Sequence, residues 1–450
     1  MSNTVPHYDV LVIGGGPGGL SAARFTRSRD KSIKIGVIRA QKRSIVPCSQ
    51  PYYLDDTIGK QDFLKSDDEL LDKANIDLFL GRVDDIDSDV RTVAVSECEH
   101  DTFSYGELVV ATGASAVHPP IPGAVLDGTF VVHDAPDIRA IKKRMQEAQT
   151  GVVIGGGYIG LEVAIAFANA GLESHVVEML PVCLGTVCSE SIATQAVKEL
   201  RQHGIHVHTG QAVDAVMGED IARGVRIGGS TIEADLVVFA VGVRPNTALV
   251  SGAGGAVGRL GIEVNDRMRT TLPHVWAVGD CIQHRDFVTG EAANGPLALN
   301  AVMQGKVAAI NITGGFRTFD GFLNPSVTRL FENSYGSTGL HEDRARNAGI
   351  ETVTGQGSAF TREPCFAGAG SIDVVLIFDR RTTRVIGGEC VGAEGVAERI
   401  DLITLAIEHK MTMEDLATMQ RALHPPQTDI ARRMPIVNAA ENAMRKIDLL

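Results

Sequence analysis

The chain is short of the residues that staple, anchor or electrostatically glue proteins to large partners. It has seven cysteines in 450 residues and no C-x-x-C pair. This spacing argues against a disulfide scaffold and for a reducing, cytoplasmic setting. Basic residues are outnumbered, 42 Lys and Arg against 55 Asp and Glu, giving a formal charge of −13. A surplus of that sign argues against nucleic acid and anionic membrane as partners. No secretory leader is expected: Met1 to Asp9 is polar, and the apolar run after it enters a glycine loop. The apolar stretch from Val152 to Gly171 carries a second glycine loop and Glu162, so it reads as a buried strand and helix, not a membrane span. No His/Cys group has metal-ligand spacing along the chain, so no metal is expected.

Glycine, in contrast, is abundant at 49 residues. Ten of the glycines stand in two similar ten-residue segments. Val10-Leu-Val-Ile-Gly14-Gly-Gly16-Pro-Gly-Gly19 opens the chain, and Gly151-Val-Val-Ile-Gly155-Gly-Gly157-Tyr158-Ile-Gly160 repeats the pattern. Each is an apolar strand running into G-x-G-x-x-G and then a helix-forming stretch. The glycines permit a tight turn, and the helix N-terminus points backbone N–H groups at a pyrophosphate. Two such units in one chain imply two dinucleotides, and the natural chemistry is hydride passing from a nicotinamide to a flavin.

A chain of 450 residues is too long for one core. The first βαβ unit has its second strand at Ile33–Ile38, and Leu108-Val-Val-Ala-Thr112-Gly113 is a strand ending in a small-residue turn. His118-Pro-Pro-Ile-Pro-Gly123 is a proline-rich crossing. The second unit has strands at Gly151–Ile154 and Ser174–Val177 and closes at Leu236…Gly242. Another strand ends at Gly279-Asp280. Beyond Leu323 the pattern changes to alternating strands, Val374–Phe378 and Val385–Cys390, then helices Val396–His409 and Met413–Met419.

Cys48 stands out among the cysteines. Pro51 can open a helix just after it, and Arg39, Lys42 and Arg43 lie nearby, so the local field would favour a nucleophilic thiolate. A lone sulfur cannot close an internal disulfide and must cycle through a mixed disulfide, persulfide or sulfenic acid. Cys183 and Cys188 have a four-residue gap but follow the second nucleotide strand, and the gap reads as chance spacing. Cys98, Cys281 and Cys390 read as packing residues. Glu178, about twenty residues past the second loop, would accept hydrogen bonds from a ribose and repel a 2′-phosphate, favouring NADH over NADPH.

Taken together, these residues resemble the single-cysteine branch of the pyridine nucleotide-disulfide oxidoreductases, which includes coenzyme A disulfide reductase, NADH oxidase, NADH peroxidase and persulfide reductases. Ala111-Thr112-Gly113, Thr271…Gly279-Asp280 and Asn300-Ala-Val-Met-Gln304-Gly305 resemble its flavin-domain segments. Ala240-Val-Gly242…Pro245-Asn246 resembles its exit from the NAD domain. Ser44-Ile-Val-Pro-Cys48-Ser-Gln-Pro51-Tyr52-Tyr53 resembles its redox motif, and Gly387…Gly392, Arg399-Ile-Asp401 and Leu423-His424-Pro-Pro426 its dimerisation domain. The resemblance implies two Rossmann-like α/β domains, for FAD and NAD, and a C-terminal α+β dimerisation domain. The expected layout is 1–118 and 248–323 for FAD, 119–247 for NAD and 324–450 for dimerisation.

By the same resemblance, Cys48 sits over the flavin, Asp280 bonds the ribityl chain, Tyr158 gates the flavin and Glu162 lies near its edge. His424 reaches into the partner subunit's site, so the homodimer shares active sites, with His424 moving a proton. Gly14, Gly16, Gly19, Thr112 and Gly113 belong to the FAD site; Gly155, Gly157, Gly160 and Gly242 belong to the NAD side. The acceptor is a small sulfur or oxygen compound, with a coenzyme A-type disulfide or persulfide favoured. An oxidase or peroxidase using a sulfenate is one alternative; an electron carrier or NADH-sensing interaction protein is another. Two positions depart from the pattern. Arg39 stands where an acid should hold the flavin ribose, leaving it to stack on adenine, face a phosphate or meet solvent. Pro364-Cys365-Phe366 replaces a tyrosine pair, and Cys365 reads as packing, a resting thiol or a substitute for the missing hydroxyl.

Overall fold

The computed structural model describes residues 5–43, 45–59, 64, 67–429 and 433–449. The backbone forms two compact units. One comprises Met1–Tyr53, Ile58–Val117 and Gly242–Phe322; the other comprises Leu54–Thr57, His118–Val241 and Leu323–Leu450.

The first unit is built on a seven-stranded sheet. Strand His7–Ile13 pairs in parallel with Ile35–Arg39 and with Thr102–Val110, and Asp77–Leu80 and Val275–Ala277 extend the parallel part. Arg82–Asp87 and Thr92–Ser96 add an antiparallel meander. The central strands read as near-continuous apolar runs because helices and loops cover both faces: Leu11, Val12, Val37, Leu108 and Val109 are fully buried. Helix Pro17–Arg29 packs on Ala298–Ile312 at close range. A Cβ at Gly305 would come 2.5 Å from the Gly18 carbonyl oxygen, so the glycine allows the helices to touch. The second strand ends at Arg39, one residue beyond the expected limit of Ile38, which puts the guanidinium-bearing residue inside the strand.

The second unit holds a five-stranded sheet in the order 206–209, 173–178, 150–154, 236–239, 129–131, with every pairing parallel. It also holds a five-stranded antiparallel sheet of Ser326–Leu330, Asn333–Gly339, Val385–Gly392, Ser371–Asp379 and Thr352–Phe360. Three of those strands and helix Pro435–Arg445 go beyond the elements expected from sequence. The strands are rich in Gly, Ser and Thr and lack an apolar stripe. Their glycines have a steric purpose: a Cβ at Gly355 would meet the Ala439 carbonyl oxygen at 1.8 Å, and one at Gly357 the Pro435 oxygen at 2.1 Å. Helix Pro435–Arg445 therefore lies directly on the strand backbone. Among the described residues, no helix is long and apolar enough to cross a membrane.

Candidate nucleotide sites and redox cysteine

The two glycine loops meet the same steric demands in the same order. Gly14 and Gly155 have φ of 113° and 112°, and a Cβ there would lie 2.1 and 2.4 Å from the carbonyl oxygens of Ala111 and Ala240. A Cβ on Gly19 or Gly160 would lie 2.2 or 1.9 Å from the oxygen of Gly14 or Gly155, so each helix settles onto its own loop. Gly16 and Gly157 differ: an added Cβ would meet nothing within 4 Å. No side chain caps helices Pro17–Arg29 and Tyr158–Asn169. A side chain at either position would fill only the space before a helix N-terminus. Both cradles fit a dinucleotide pyrophosphate, which the helix field and backbone N–H groups would hold.

At the second loop, Glu178 ends its strand and folds back. Its Oε2 accepts the Gly156 N–H at 2.6 Å and its Oε1 the Leu180 N–H at 2.8 Å. The carboxylate is thus locked into the loop with lone pairs to spare for ribose hydroxyls. A carboxylate facing a 2′-phosphate costs a few kcal/mol, on the order of a hundredfold in kcat/KM. NADH is expected to outperform NADPH, and Glu178→Ala to narrow the gap. Steady-state kinetics with both coenzymes decides it: an NADPH-preferring wild type removes Glu178 from the ribose.

At the first loop, the equivalent strand end carries Arg39, and it does not meet solvent. Its side chain is 1% exposed. Its stem lies under Gly15, where a Cβ would come 2.7 Å from Cδ. Its Nη2 donates to Asp68 Oδ1 at 2.6 Å and to the Lys42 carbonyl at 3.0 Å. A carboxylate therefore does stand at this strand end, delivered by helix Asp67–Lys73 and fixed by the arginine.

Asp280 follows strand Val275–Ala277 in a corner turned by Gly279, φ 84°. The Gly279 N–H donates to Oε1 of fully buried Gln304 at 2.7 Å, which fixes the corner against helix Ala298–Ile312. Thr112 Oγ1 donates to the Asn246 carbonyl at 2.7 Å, while Asn246 returns a bond from Nδ2 to the Thr112 carbonyl at 3.0 Å. Gly113 (φ 65°) and Gly242 (φ 99°) leave open space where a Cβ would point. Gln304 and Asn246 set these turns, and their roles show only once strand and helix are paired.

Cys48 is exposed and outside any disulfide. It sits in the 3-10 turn Pro47–Ser49, where the Ser49 N–H and Oγ both donate to the Val46 carbonyl, at 3.0 and 2.8 Å. Ser44, first residue of the motif, lies outside the described residues. The following helix differs from expectation. It begins at Gln50, with Pro51 second, and ends at Leu54. Five residues give a weaker field than a full helix. Arg39 is neutralised by Asp68, so Lys42 and Arg43, both exposed, are the open cations of the cluster.

In the second unit, Tyr158 and Glu162 bond to the C-terminal sheet. Ser326 Oγ donates to Tyr158 Oη at 3.2 Å, and Thr328 Oγ1 donates to Glu162 Oε1 at 2.7 Å. Burial raises both side chains above their ordinary ranges, holding the phenol protonated. Cys183 and Cys188 are buried, and burial pushes each thiol to about 12, so neither supplies a thiolate at neutral pH. Cys281 and Cys390 are fully buried, whereas Cys98 is partly so.

His424 is exposed, on a loop whose shape is set by the backbone: its N–H donates to Thr428 Oγ1 at 3.0 Å, and its carbonyl accepts from the N–H groups of Gln427 and Thr428. Buried Asp429 pins the loop, accepting from Arg399 at 2.9 Å and Arg421 at 3.0 Å. Removing one partner of such a buried group costs about 3–5 kcal/mol, so the loop is firmly held. The Glu363 N–H donates to the Pro425 carbonyl at 3.0 Å, which sets the 361–370 turn beside the His424 segment. Cys365 in that turn is exposed, which overturns its reading as a packing residue. The expectation of no metal rested on spacing along the chain; strand pairing brings the ligand atoms of Glu173, His175 and His206 within 4.8 Å of one another.

Two dinucleotide cradles on Rossmann-type sheets, with an exposed thiol in the chain segment after the first unit's second strand, define a flavin- and pyridine nucleotide-dependent oxidoreductase. The chain belongs to the pyridine nucleotide-disulphide oxidoreductase family: the family model matches residues 8–305, and that of its dimerisation domain residues 326–435. It is similar to an NADH oxidase of Methanocaldococcus jannaschii, 36% identical over 97% of this chain and 99% of the relative. It is 31% identical to the CoA-dependent NAD(P)H sulfur oxidoreductase of Pyrococcus abyssi, covering 93% of this chain and 94% of that one. Among solved structures it resembles the NAD-dependent persulfide reductase from A. fulgidus, with TM-score 0.93, 32% identity, and coverage of 98% of this chain and 83% of that chain.

Proposed function

We propose that this enzyme uses NADH to reduce a low-molecular-weight disulfide or persulfide of the coenzyme A type, with Cys48 as the redox relay. The observation that carries the reading is the exposed Cys48 thiol in its tight turn, in the chain segment that follows strand Ile35–Arg39. The residues divide as FAD site in 1–118 and 248–323, NAD site in 119–247 and dimer contact in 324–450. FAD, when bound, accepts hydride from the nicotinamide and supplies the electron pair for sulfur. The Cys48 thiolate attacks R–S–S–R, forming Cys48–S–S–R and releasing RS⁻. Two electrons and a proton then return Cys48 to its thiolate and release RSH, so that NADH, H⁺ and RSSR give NAD⁺ and 2 RSH. Lys42 and Arg43 attract an anionic acceptor, His424 protonates the leaving thiolate, Asp280 and the first loop hold FAD, and Glu178 holds the NADH ribose. Tyr158, its phenol kept protonated by burial, would cover the flavin edge, and Glu162, its carboxyl raised by burial, would line it. The setting is cytoplasmic.

A second reading, oxygen or peroxide reduction through a Cys48 sulfenate, draws on the M. jannaschii relative named NADH oxidase. NADH consumption measured against coenzyme A disulfide, coenzyme A persulfide, polysulfide, peroxide and oxygen separates the two. Turnover limited to oxygen or peroxide would overturn the sulfur assignment.

Sharing of sites between subunits makes a stringent expectation. If His424 of one chain serves Cys48 of the other, Cys48→Ser and His424→Ala homodimers are both crippled. Their mixed dimer then has one intact site and should recover about half of wild-type activity per dimer. Mixed dimers that stay inactive after confirmed subunit exchange contradict a shared site.

A further inference from the structure

We propose that Glu173, His175 and His206 form a binding site for a divalent first-row cation of zinc's class, with His208 orienting His175. The site is independent of the redox reading. His175 and His206 are direct register partners on neighbouring parallel strands, and Glu173 lies two residues before His175 on the same face. His206–Thr209 is the edge strand of its sheet, so the cluster opens to solvent.

The donor atoms already converge. His175 Nε2 lies 3.2 Å and His206 Nε2 3.7 Å from Glu173 Oε1, and all three ligand atoms lie within 4.8 Å of one another. A tetrahedral ion with bonds of about 2.1 Å needs ligand atoms about 3.4 Å apart. The two imidazoles stack, with centroids 4.6 Å apart and planes 20° apart, so their Nε2 atoms face one carboxylate.

His208 supplies a second, independent element. His175 Nδ1 lies 3.2 Å from His208 Nε2, with the rings nearly parallel. A neutral His175 that shares a proton there presents its Nε2 lone pair to a cation, the arrangement that fixes tautomer and ring direction at imidazole–metal sites.

Two imidazoles and a carboxylate suit zinc, nickel or copper and not magnesium. Glu178 marks the other end of the strand, roughly 16 Å from Glu173 at the usual rise. The ion would therefore clamp the edge strand to its neighbour without entering the dinucleotide loop.

Equilibrium dialysis of tag-free, FAD-loaded, full-length protein against Zn²⁺ tests the site, with metal and flavin counted per chain. The expected result is about one Zn²⁺ per chain at micromolar free metal, retained in Cys48→Ser and in excess Mg²⁺. His208→Ala keeps every ligand and should weaken binding roughly tenfold or more; His206→Ala and Glu173→Gln should weaken it further. The His206 side chain is 55% exposed, so unchanged flavin content and metal-free unfolding temperature are expected to show that His206→Ala stays folded. Zinc that is lost in Cys48→Ser but kept in His206→Ala overturns the site, as does a wild type that retains none.

Discussion

Replacing Cys48 by serine is expected to abolish turnover with sulfur acceptors, by about a thousandfold or more, while leaving reduction of the bound flavin by NADH intact. A serine hydroxyl is far from ionised at neutral pH and cannot form the mixed disulfide through which a lone sulfur must cycle. Both glycine loops and the Gly279–Asp280 corner are untouched by the change, since Cys48 lies in a separate, exposed turn. Stopped-flow absorbance reads flavin reduction, and steady-state NADH consumption reads turnover. A variant that still reduces disulfide or persulfide at a rate near wild type removes Cys48 from the path.

Asp280→Ala is expected to strip FAD from the purified protein far more than Arg39→Ala does. Asp280 stands on a corner held by the Gly279–Gln304 hydrogen bond, so the backbone that carries its carboxylate is fixed before a cofactor arrives. Hydrogen bonds to a charged acceptor contribute about 1.5–3 kcal/mol, which is roughly ten- to a hundredfold in Kd. Arg39 is buried beneath Gly15 and bonded to Asp68, so its removal acts first on the loop's support and on stability. Flavin-to-protein absorbance ratios of the two purified variants, with their unfolding temperatures, separate these roles. Equal loss of FAD would assign the anchoring role to the Arg39–Asp68 pair.

What could be seen along the chain was whatever is local. Gly14, Gly16 and Gly19 carry their meaning in their spacing, and so do Gly155, Gly157 and Gly160, because turn, cradle and helix contact follow one another within a few residues. Strands such as Val152–Ile154 and Leu236–Phe239 announce themselves as apolar runs because both faces are covered. The strands Asn333–Gly339 and Thr352–Phe360 do not, because glycine and hydroxyl residues there make room for helices met much later in the chain. The substitute acid at Asp68 is 29 residues from Arg39, with no motif linking them. The histidines at 175, 206 and 208 form a group only through parallel strand pairing. The period-two spacing of Glu173 with His175 and of His206 with His208 was the available sign, since it places each pair on one face of a strand. The setting of Cys48 was legible in kind but not in strength: its helix is five residues long, and one of its three nearby cations is committed elsewhere.

The most direct test of the central claim, that Cys48 carries electrons between the nucleotide and the acceptor, is an anaerobic titration with NADH. The FAD-loaded protein would first be oxidised with coenzyme A disulfide and freed of excess, so that Cys48 enters as a mixed disulfide. Wild type should then take up about two equivalents of NADH per chain, one for the flavin and one for the sulfur, and release one thiol. Cys48→Ser should take up about one and release none. One equivalent for both proteins, with no thiol released, would contradict the account.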